Sequence, residues 1–442
     1  MNIAIISLGC PKNQVDADVF CHALIKAGHQ TVADPEQADI IIVNTCGFIE
    51  SAKTDSIDTI LDMAQYKTAG SCKLLVVTGC LSQRYGDELA RELPEVDVFN
   101  GVKNYPALAE RLAEICGVEP APESANAAAC CGIPKRLLTT PSYRAYLRIA
   151  DGCDNRCTYC AIPLIRGGRV STPMETLLAE AEQLAESGVT ELTVIAQDTS
   201  AYGIDLYKKY ALPDLLKQLC KIDGIKWIRL LYCYPERMTD ELIETIKTED
   251  KVLNYIDIPI QHCNKEILRN MYRGGDEQSL RELFAKLRRE IPGVVLRTTL
   301  ITGFPGETEE QFSELAEFVN DIKFERLGCF AYSAEEDTPA AEMPDQVDEG
   351  ERQRRADIIT SEQEIRMGEY YAGMVGNTYE VVCEGFDRYS DMYFGRSMHF
   401  APEIDGMIYF TSAKDKGSLT IGDFVNVKIT DVLENNLLGE RV

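Results

Sequence analysis

The 442-residue sequence predicts an α/β chain in three parts: an N-terminal parallel-sheet α/β domain, a central partial (β/α)6 barrel and a small C-terminal β-barrel. Three observations lead there. Residues 2–115 alternate strand-like and helix-like stretches, a longer series of the same kind runs from 143 to 332, and beyond 378 short alternating strands are separated by glycines. Hydrophobic residues make up 45% and charged residues 26%, so ordinary cores can form and wholesale disorder is excluded.

In the first part, strands are expected at Asn2 to Leu8, Asp39 to Asn44 and Lys73 to Thr78, with helices from Val15 to Ala27 and Thr54 to Gln65 between them. A weaker strand, Asp97 to Gly101, and a helix from Pro106 to Ile115 complete the unit. This rhythm implies a parallel sheet covered by helices, whose loops at the carboxyl ends of the strands gather at one ligand-binding edge. From Gly117 to Ala129 the composition turns to proline and alanine, which reads as a linker. Strands follow at Tyr143 to Ala150, Glu191 to Ala196, Trp227 to Tyr232, Tyr255 to Ile260, Val294 to Ile301 and Leu327 to Tyr332. Amphipathic helices fill the gaps, as at Thr172 to Ser187, Thr239 to Glu249, Ser279 to Glu290 and Glu309 to Ile322. Six such units are too few for a closed eight-stranded barrel, so an open, partial one is expected. Glu349 to Tyr371 reads as a charged helix with Arg352, Arg354, Arg355, Glu362, Glu364 and Arg366 on a solvated face. In the tail, strands are expected at Tyr379 to Glu384, Met407 to Phe410 and Asp423 to Asp431. The boundaries drawn are 1–117, a linker at 118–138, 139–370 and 371–442.

Charge narrows the partners. The chain carries 71 acidic and 45 basic side chains, a net charge of −26 that repels phosphate backbones and attracts a basic protein. From Gly373 onward acids outnumber bases eleven to six, so the C-terminal module is itself negative. Stable nucleic-acid binding is not expected. The apolar runs, such as Ile40 to Val43 and Leu74 to Val77, are strand-length, far short of the roughly 18 residues a membrane span needs. With no secretory leader visible, the expected location is the cytoplasm.

Sixteen cysteines in such a chain point to metal or redox chemistry before disulfides. Most of Cys21, Cys72, Cys116, Cys130, Cys131, Cys220, Cys233, Cys263, Cys329 and Cys383 read as small buried hydrophobes. Six others have a pattern. Cys153, Cys157 and Cys160 stand on one short loop, Asp151-Gly-Cys-Asp-Asn-Arg-Cys-Thr-Tyr-Cys160, directly after a barrel strand. Three thiols so spaced can wrap three irons of a cubane cluster and leave the fourth iron open. Zinc is the weaker reading, since it wants a fourth ligand and none lies near in sequence; free buried thiols are weaker still. Cys10, Cys46 and Cys80 each follow one of the first three strands beside a glycine, and should converge at the sheet edge.

Cys-x-x-x-Cys-x-x-Cys after the first strand of a partial β/α barrel resembles the signature of radical S-adenosylmethionine enzymes. With three cysteines in a preceding α/β domain and a small β-barrel (TRAM-like) behind it, the whole chain resembles the methylthiotransferases of that superfamily. Several stretches are similar to the branch that methylthiolates an aspartate of the ribosomal protein called S-twelve: Ser7-Leu-Gly-Cys-Pro-Lys-Asn13, Ala196-Gln-Asp-Thr-Ser-Ala-Tyr-Gly203, Asp257-Ile-Pro-Ile-Gln-His262, Arg297-Thr-Thr-Leu-Ile-Thr-Gly-Phe-Pro-Gly-Glu-Thr308, Tyr393-Phe-Gly-Arg396 and Ala401-Pro-Glu-Ile-Asp-Gly406. Gln14 and Ala17 depart from the branch, which has an aliphatic residue and serine there.

The resemblance implies two [4Fe-4S] clusters and S-adenosylmethionine as cofactors. Cys153, Cys157 and Cys160 would hold the radical-generating cluster, and Cys10, Cys46 and Cys80 an auxiliary one that donates sulfur. One cofactor molecule would supply the methyl group and another the radical that opens the aspartate β-carbon. Gln197 and Asp198, at a strand end, would lie near the methionine moiety, and Arg297 with the Gly303 turn would support the adenosine or carboxylate; a strand-end turn and a local glycine-proline turn are the alternatives. His262 reads as a structural histidine, while Arg156, Arg166 and Arg169 would hold cluster or substrate, or are simply solvated. A low-potential flavodoxin or ferredoxin is the expected electron donor. The rival readings are a methylthiotransferase acting on transfer RNA adenosine, which calls for a positive C-terminal barrel, and an iron–sulfur electron carrier, which needs no six-unit barrel.

Overall fold

The run Ile40-Ile41-Ile42-Val43 has no polar interruption, and it forms a fully buried strand at the centre of a parallel sheet. The structure is a computed structural model that describes residues 1–118, 136–413 and 417–442. The first sheet contains β1 (Asn2–Ser7), β2 (Gln30–Thr31), β3 (Ile40–Thr45), β4 (Leu74–Gly79) and β5 (Val98–Phe99), in the order β2-β1-β3-β4-β5. Helices Pro11–Lys26 and Tyr105–Cys116 cover one face, through Phe20, Leu24, Leu108 and Leu112. Helices Glu50–Ala64 and Cys80–Glu92 cover the other, through Ile60, Leu81 and Leu89. The short β2 and the helix Cys80–Glu92 were not among the sequence expectations. The linker expected over Gly117 to Ala129 lies almost wholly outside the described residues, as do Cys130 and Cys131.

The second unit holds β6 (Arg144–Arg148), a two-stranded ribbon of β7 (Ala150–Asp151) and β8 (Val170–Ser171), then β9 (Glu191–Ile195), β10 (Trp227–Leu230), β11 (Val252–Asp257), β12 (Val295–Thr302) and β13 (Arg326–Ala331). Six of these strands make one parallel sheet in the order β13-β12-β11-β10-β9-β6, so the barrel is partial and open, as the six units predicted. Alternation decides what each side packs on. Leu147, Leu192, Val194, Ile228, Leu230 and Leu296 meet the covering helices, whereas Tyr146, Ile195, Trp227, Tyr255 and Val295 face the concave side.

The tail forms a closed five-stranded barrel of β14 (Thr378–Asp387), β15 (Met392–Ser397), β16 (Ile408–Thr411), β17 (Phe424–Leu433) and β18 (Asn436–Arg441). Two of its strands, β15 and β18, escape a reading by apolar alternation because each carries a glycine in its middle. Barrel closure demands it at Gly395, where a Cβ would stand 2.0 Å from the Val382 carbonyl oxygen. This barrel is anchored into the concave side of the larger one. Arg396 Nη2 meets Glu191 Oε2 at 2.7 Å, Arg229 Nη1 donates to the Met398 carbonyl at 2.9 Å, and the Tyr255 hydroxyl donates to Asp405 Oδ2 at 2.8 Å.

One expectation fails here. Helix Glu349–Met374 does not present its charges uniformly to solvent: Arg355 is buried, with Nη1 2.7 Å from the buried Glu307 Oε1, and Arg352 packs over Tyr332. Arg354 and Glu364 are exposed as expected. The helix docks on the edge of the sheet by buried ion pairs as well as by apolar side chains such as Ile359, so reading each charge as solvated misplaced its inner face.

Candidate active site between two cysteine trios

Cys10, Cys46 and Cys80 follow β1, β3 and β4, three adjacent strands, so the sheet register itself brings them to one edge. Cys10 caps helix Pro11–Lys26 and Cys80 begins helix Cys80–Glu92, placing both thiols at helix amino ends, where negative charge is favoured. Gly9 (φ 101°) lets the first loop approach Cys46: a Cβ there would stand 3.3 Å from its Sγ. Polar side chains brace the edge. Asn13 Nδ2 donates to the carbonyls of Thr45 (2.8 Å) and Leu8 (3.1 Å), Asn44 Nδ2 donates to the Asn13 carbonyl (2.9 Å), and Ser56 Oγ accepts from the Cys46 amide (3.1 Å).

Cys153, Cys157 and Cys160 lie on the loop after β7, and the end of helix Lys265–Asn270 and loops after other strands hold that loop from outside. Thr158 donates through its amide to the Met271 carbonyl (3.1 Å) and through Oγ1 to that of Asn270 (2.8 Å). Asn155 Nδ2 donates to Asp198 Oδ2 at 2.8 Å and its Oδ1 accepts from Arg237 at 2.9 Å. Tyr234, in the loop after β10, sets its hydroxyl 3.4 Å from Cys157 Sγ, with Arg273 stacked 4.2 Å over its ring.

The members of each trio feel one another's charge. Burial pushes the thiols of Cys80 and Cys160 up to about 12, and it raises Cys46 and Cys153 as well. Burial of this kind favours the neutral thiol, and a bound cation offsets it. Among the described residues, no group of three His, Cys, Asp or Glu side chains closes on a single metal ion. Three thiols apiece, with no nitrogen or oxygen ligand in either trio, are a donor set that suits an iron–sulfur cluster.

Arg166 joins the two trios. Its Nη1 lies 3.2 Å from Oδ1 of Asp151, two residues before Cys153, while its Nη2 reaches Asn13 Oδ1 and Asp16 Oδ2 at 2.8 Å each and stands 3.6 Å from Cys80 Sγ. Far from being solvated, it is buried, and Cys80, which it approaches, packs in one apolar cluster with Val102, Ala161 and Ile165. Lys12 is likewise buried, its Nζ 3.0 Å above the Tyr232 ring; burial lowers it to about 8 despite the opposing charge of Cys10.

The softer candidates divide. Gln197 Nε2 donates to Asp151 Oδ1 at 3.1 Å, while its Oε1 is buried with no partner among the described residues. Asp198 is saturated by Asn155, Arg169, Arg237, Ser200 and the Ala201 amide, and holds the cysteine loop. Arg297 pairs with buried Asp257 at 2.7 Å. Gly303 (φ 69°) is pressed against Arg352, where a Cβ would stand 2.3 Å from Cγ, so its close approach is to helix Glu349–Met374. His262 Nε2 lies 3.5 Å from Glu307, Arg169 meets Asp198 at 3.3 Å, and Arg156 is exposed. Sequence reasoning missed Tyr234 and Asp16, and took Lys12 only as part of the stretch after Cys10 that carries the resemblance. The signal for Tyr234 was its place after a strand's carboxyl end, the position that marked the cysteines.

Three family models match successive parts of the chain: Uncharacterized protein family UPF0004 over residues 2–101, the Radical SAM superfamily over 147–319 and the TRAM domain over 375–442. The chain is 48% identical to the ribosomal protein uS12 methylthiotransferase RimO of Clostridium botulinum (strain Hall), covering 99% of this chain and 98% of that one. It is 49% identical to the protein of the same description from Desulfitobacterium hafniense (strain Y51) and 47% to that of Geobacter sulfurreducens, each match covering 100% of this chain and 98% of the relative. Among solved structures, the radical S-adenosylmethionine methyltransferase TsrM of Kitasatospora setae matches with a TM-score of 0.54 at 14% identity, over 77% of this chain and 74% of that one, a likeness of fold.

Proposed function

The chain belongs to the RimO family of radical S-adenosylmethionine methylthiotransferases, and on that premise we propose that it adds a methylthio group to the β-carbon of an aspartate of ribosomal protein uS12. A radical SAM domain implies S-adenosylmethionine and a [4Fe-4S] cluster. Our finer reading has two clusters, one on Cys153, Cys157 and Cys160 and an auxiliary one on Cys10, Cys46 and Cys80. When bound, each cluster would offer an open iron, one to generate a radical from the cofactor and one to present sulfur. The observation that carries this reading is the Arg166 side chain, which bonds to Asp151 beside one trio and approaches Cys80 of the other.

The chain's own residues then have distinct duties. Gln197 offers its unpartnered Oε1 to the methionine part of the cofactor, and Arg297, near the start of β12 and paired with Asp257, a charged donor. Asp198 and Gly303 act one step removed, holding the cysteine loop and seating Arg352. Arg166, Asp16 and Asp151 keep the seam between the trios filled with protein groups in place of water, which protects reactive chemistry. In this reading residues 1–117 carry the sulfur donor, 118–138 link, 139–370 generate the radical and 371–442 recognise a basic protein through their acidic surface. A low-potential flavodoxin or ferredoxin supplies electrons, the location is the cytoplasm, and no stable nucleic-acid complex forms; among the described residues no helix is long and apolar enough to cross a membrane.

Mass spectrometry of uS12 and of transfer RNA from a deletion strain tests the reading. Loss of a methylthio group from an aspartate of uS12, with transfer RNA unchanged, is expected; loss from transfer RNA adenosine alone would refute it. Anaerobic reconstitution should give about eight irons per chain.

A further inference from the structure

We propose that Lys12 receives the carboxylate of the target aspartate, and so selects aspartate over uncharged residues at the reacting carbon. The inference rests on the uS12 reading and names the group that recognises its reacting side chain.

Lys12 is only 6% exposed, yet among the described residues its ammonium makes no hydrogen bond or ion pair; its partner is the face of Tyr232, 3.0 Å from the ring centroid. A ring face attracts a cation without neutralising it, and a buried charge normally has a counterion. Of the acidic groups whose charge reaches it, Cys10 is the thiol two residues away that the cluster reading gives to iron, and the two carboxylates are already engaged. Asp257 holds Arg297 at 2.7 Å and the Tyr232 amide at 2.9 Å, and Asp151 holds Arg166 and Gln197. Tyr232 itself sits at φ 65°, a conformation a tyrosine rarely adopts, and the Asp257 bond to its amide holds it there with its ring beneath Lys12. The molecule thus maintains, at some conformational cost, a buried ammonium that forms no ion pair among the described residues.

The chemistry of that counterion follows from place. Lys12 is two residues from Cys10, on the side that the uS12 reading makes the sulfur donor, and faces the strand ends of the barrel across the seam. In aspartate the β-carbon is bonded directly to the carboxyl carbon, so a group gripping the carboxylate must stand beside the incoming sulfur. A carboxylate satisfies an ammonium; a carboxamide or a nucleobase carries no charge to offer it. The cofactor's methionine also bears a carboxylate, and the two sources predict different kinetics.

The test uses full-length, iron-loaded protein with intact uS12. Lys12→Gln should raise KM for uS12 about tenfold to a hundredfold, the range for losing a hydrogen bond between charged groups, and Lys12→Arg should recover most of it. Binding of fluorescently labelled uS12, followed by anisotropy, should weaken in parallel. A uS12 carrying asparagine at the target should bind the wild-type chain as weakly as native uS12 binds Lys12→Gln, a measurement that leaves the enzyme unaltered and so escapes any folding defect. An unchanged uS12 affinity in Lys12→Gln, or a raised KM for S-adenosylmethionine with uS12 binding untouched, overturns the proposal alone. Failure of the wild-type chain to modify native uS12 overturns it together with the reading beneath it.

Discussion

The two cysteine trios are built in opposite ways. Cys153, Cys157 and Cys160 share one loop, and their arrangement depends on groups that grip it from elsewhere: Asn270 and Met271 at the end of helix Lys265–Asn270, and Asp198 and Tyr234 in loops that follow strands. Cys10, Cys46 and Cys80 are separated by 36 and 34 residues, yet their loops are fixed by the register of three neighbouring strands and by tight backbone contact, as at Gly79, where a Cβ would stand 2.4 Å from the Thr45 carbonyl. One trio is local in sequence and buttressed from afar; the other is dispersed in sequence and set by the backbone. Damage to a buttress should therefore loosen the first gradually, whereas damage to the backbone should disable the second outright.

The sharpest way to break this comparison is to remove one thiol from each. Cys157→Ala should bring reductive cleavage of S-adenosylmethionine to background, because an iron loses its ligand in the radical-generating trio. Cys46→Ala should leave cleavage measurable while methylthiolation of uS12 stops. Normal methylthiolation by Cys46→Ala would show that the trios do not divide the work. Next comes Gly79→Ala. At φ 100° a side chain costs about 1–3 kcal/mol before its collision with Thr45 is counted, so iron content after reconstitution should fall by about half, with the radical trio retained. Full iron loading would mean the sheet edge yields more easily than its contacts imply.

Arg166 tests the seam. Arg166→Met leaves Asp16 and Asp151 without their shared cation, and removing one partner from a buried pair costs about 3–5 kcal/mol. Asp16 keeps Arg148, so the lower end is expected, read as a lowered chemical-denaturation midpoint of the metal-free protein. A midpoint unchanged from wild type would show that the two domains hold together without this bridge.

How much of this could be read in advance depended on sequence distance. Three thiols within eight residues announce themselves, and the strand-end logic that gathered Cys10, Cys46 and Cys80 needed only the β-α-β rhythm. Pairings such as Arg355 with Glu307 or Glu191 with Arg396 stayed hidden, since a charge in a sequence carries no mark of the partner 48 or 205 residues away. Strands β15 and β18 hid behind the glycines that barrel closure requires. Lys12 stood in the stretch Ser7 to Asn13 that carries the resemblance, but its burial on the Tyr232 ring, 220 residues on, has no mark in the sequence.

Acid offers a perturbation remote from both trios, which should spare the contrast between them. Arg396 and Arg229 hold Glu191 down at about 2, against an ordinary 4.5, despite its complete burial. A depressed carboxyl stabilises the fold above its unfolded value, so this contribution is intact above about pH 4.5 and is lost as pH falls towards 2. It ties the C-terminal barrel to the concave sheet, and the chain's single tryptophan, Trp227, packs on Phe424 of that barrel at 4.8 Å. Tryptophan emission of the metal-free protein should shift over that window. A Glu191→Gln variant should show the shifted emission already at neutral pH.

The smallest effect expected is at Asn155. Asn155→Ala removes one hydrogen bond to Asp198 and one from Arg237, but Asp198 keeps Arg169 and Arg237 as counterions, so no buried charge is stranded. The loss should be about 1–3 kcal/mol of restraint on the cysteine loop. Reconstitution of the radical trio should then need more iron and sulfide to reach the same occupancy, while the Cys10, Cys46 and Cys80 site fills normally. If instead both sites weaken together, the loop and the sheet edge are one mechanical unit through Arg166, and the contrast drawn between a buttressed trio and a backbone-set one is false.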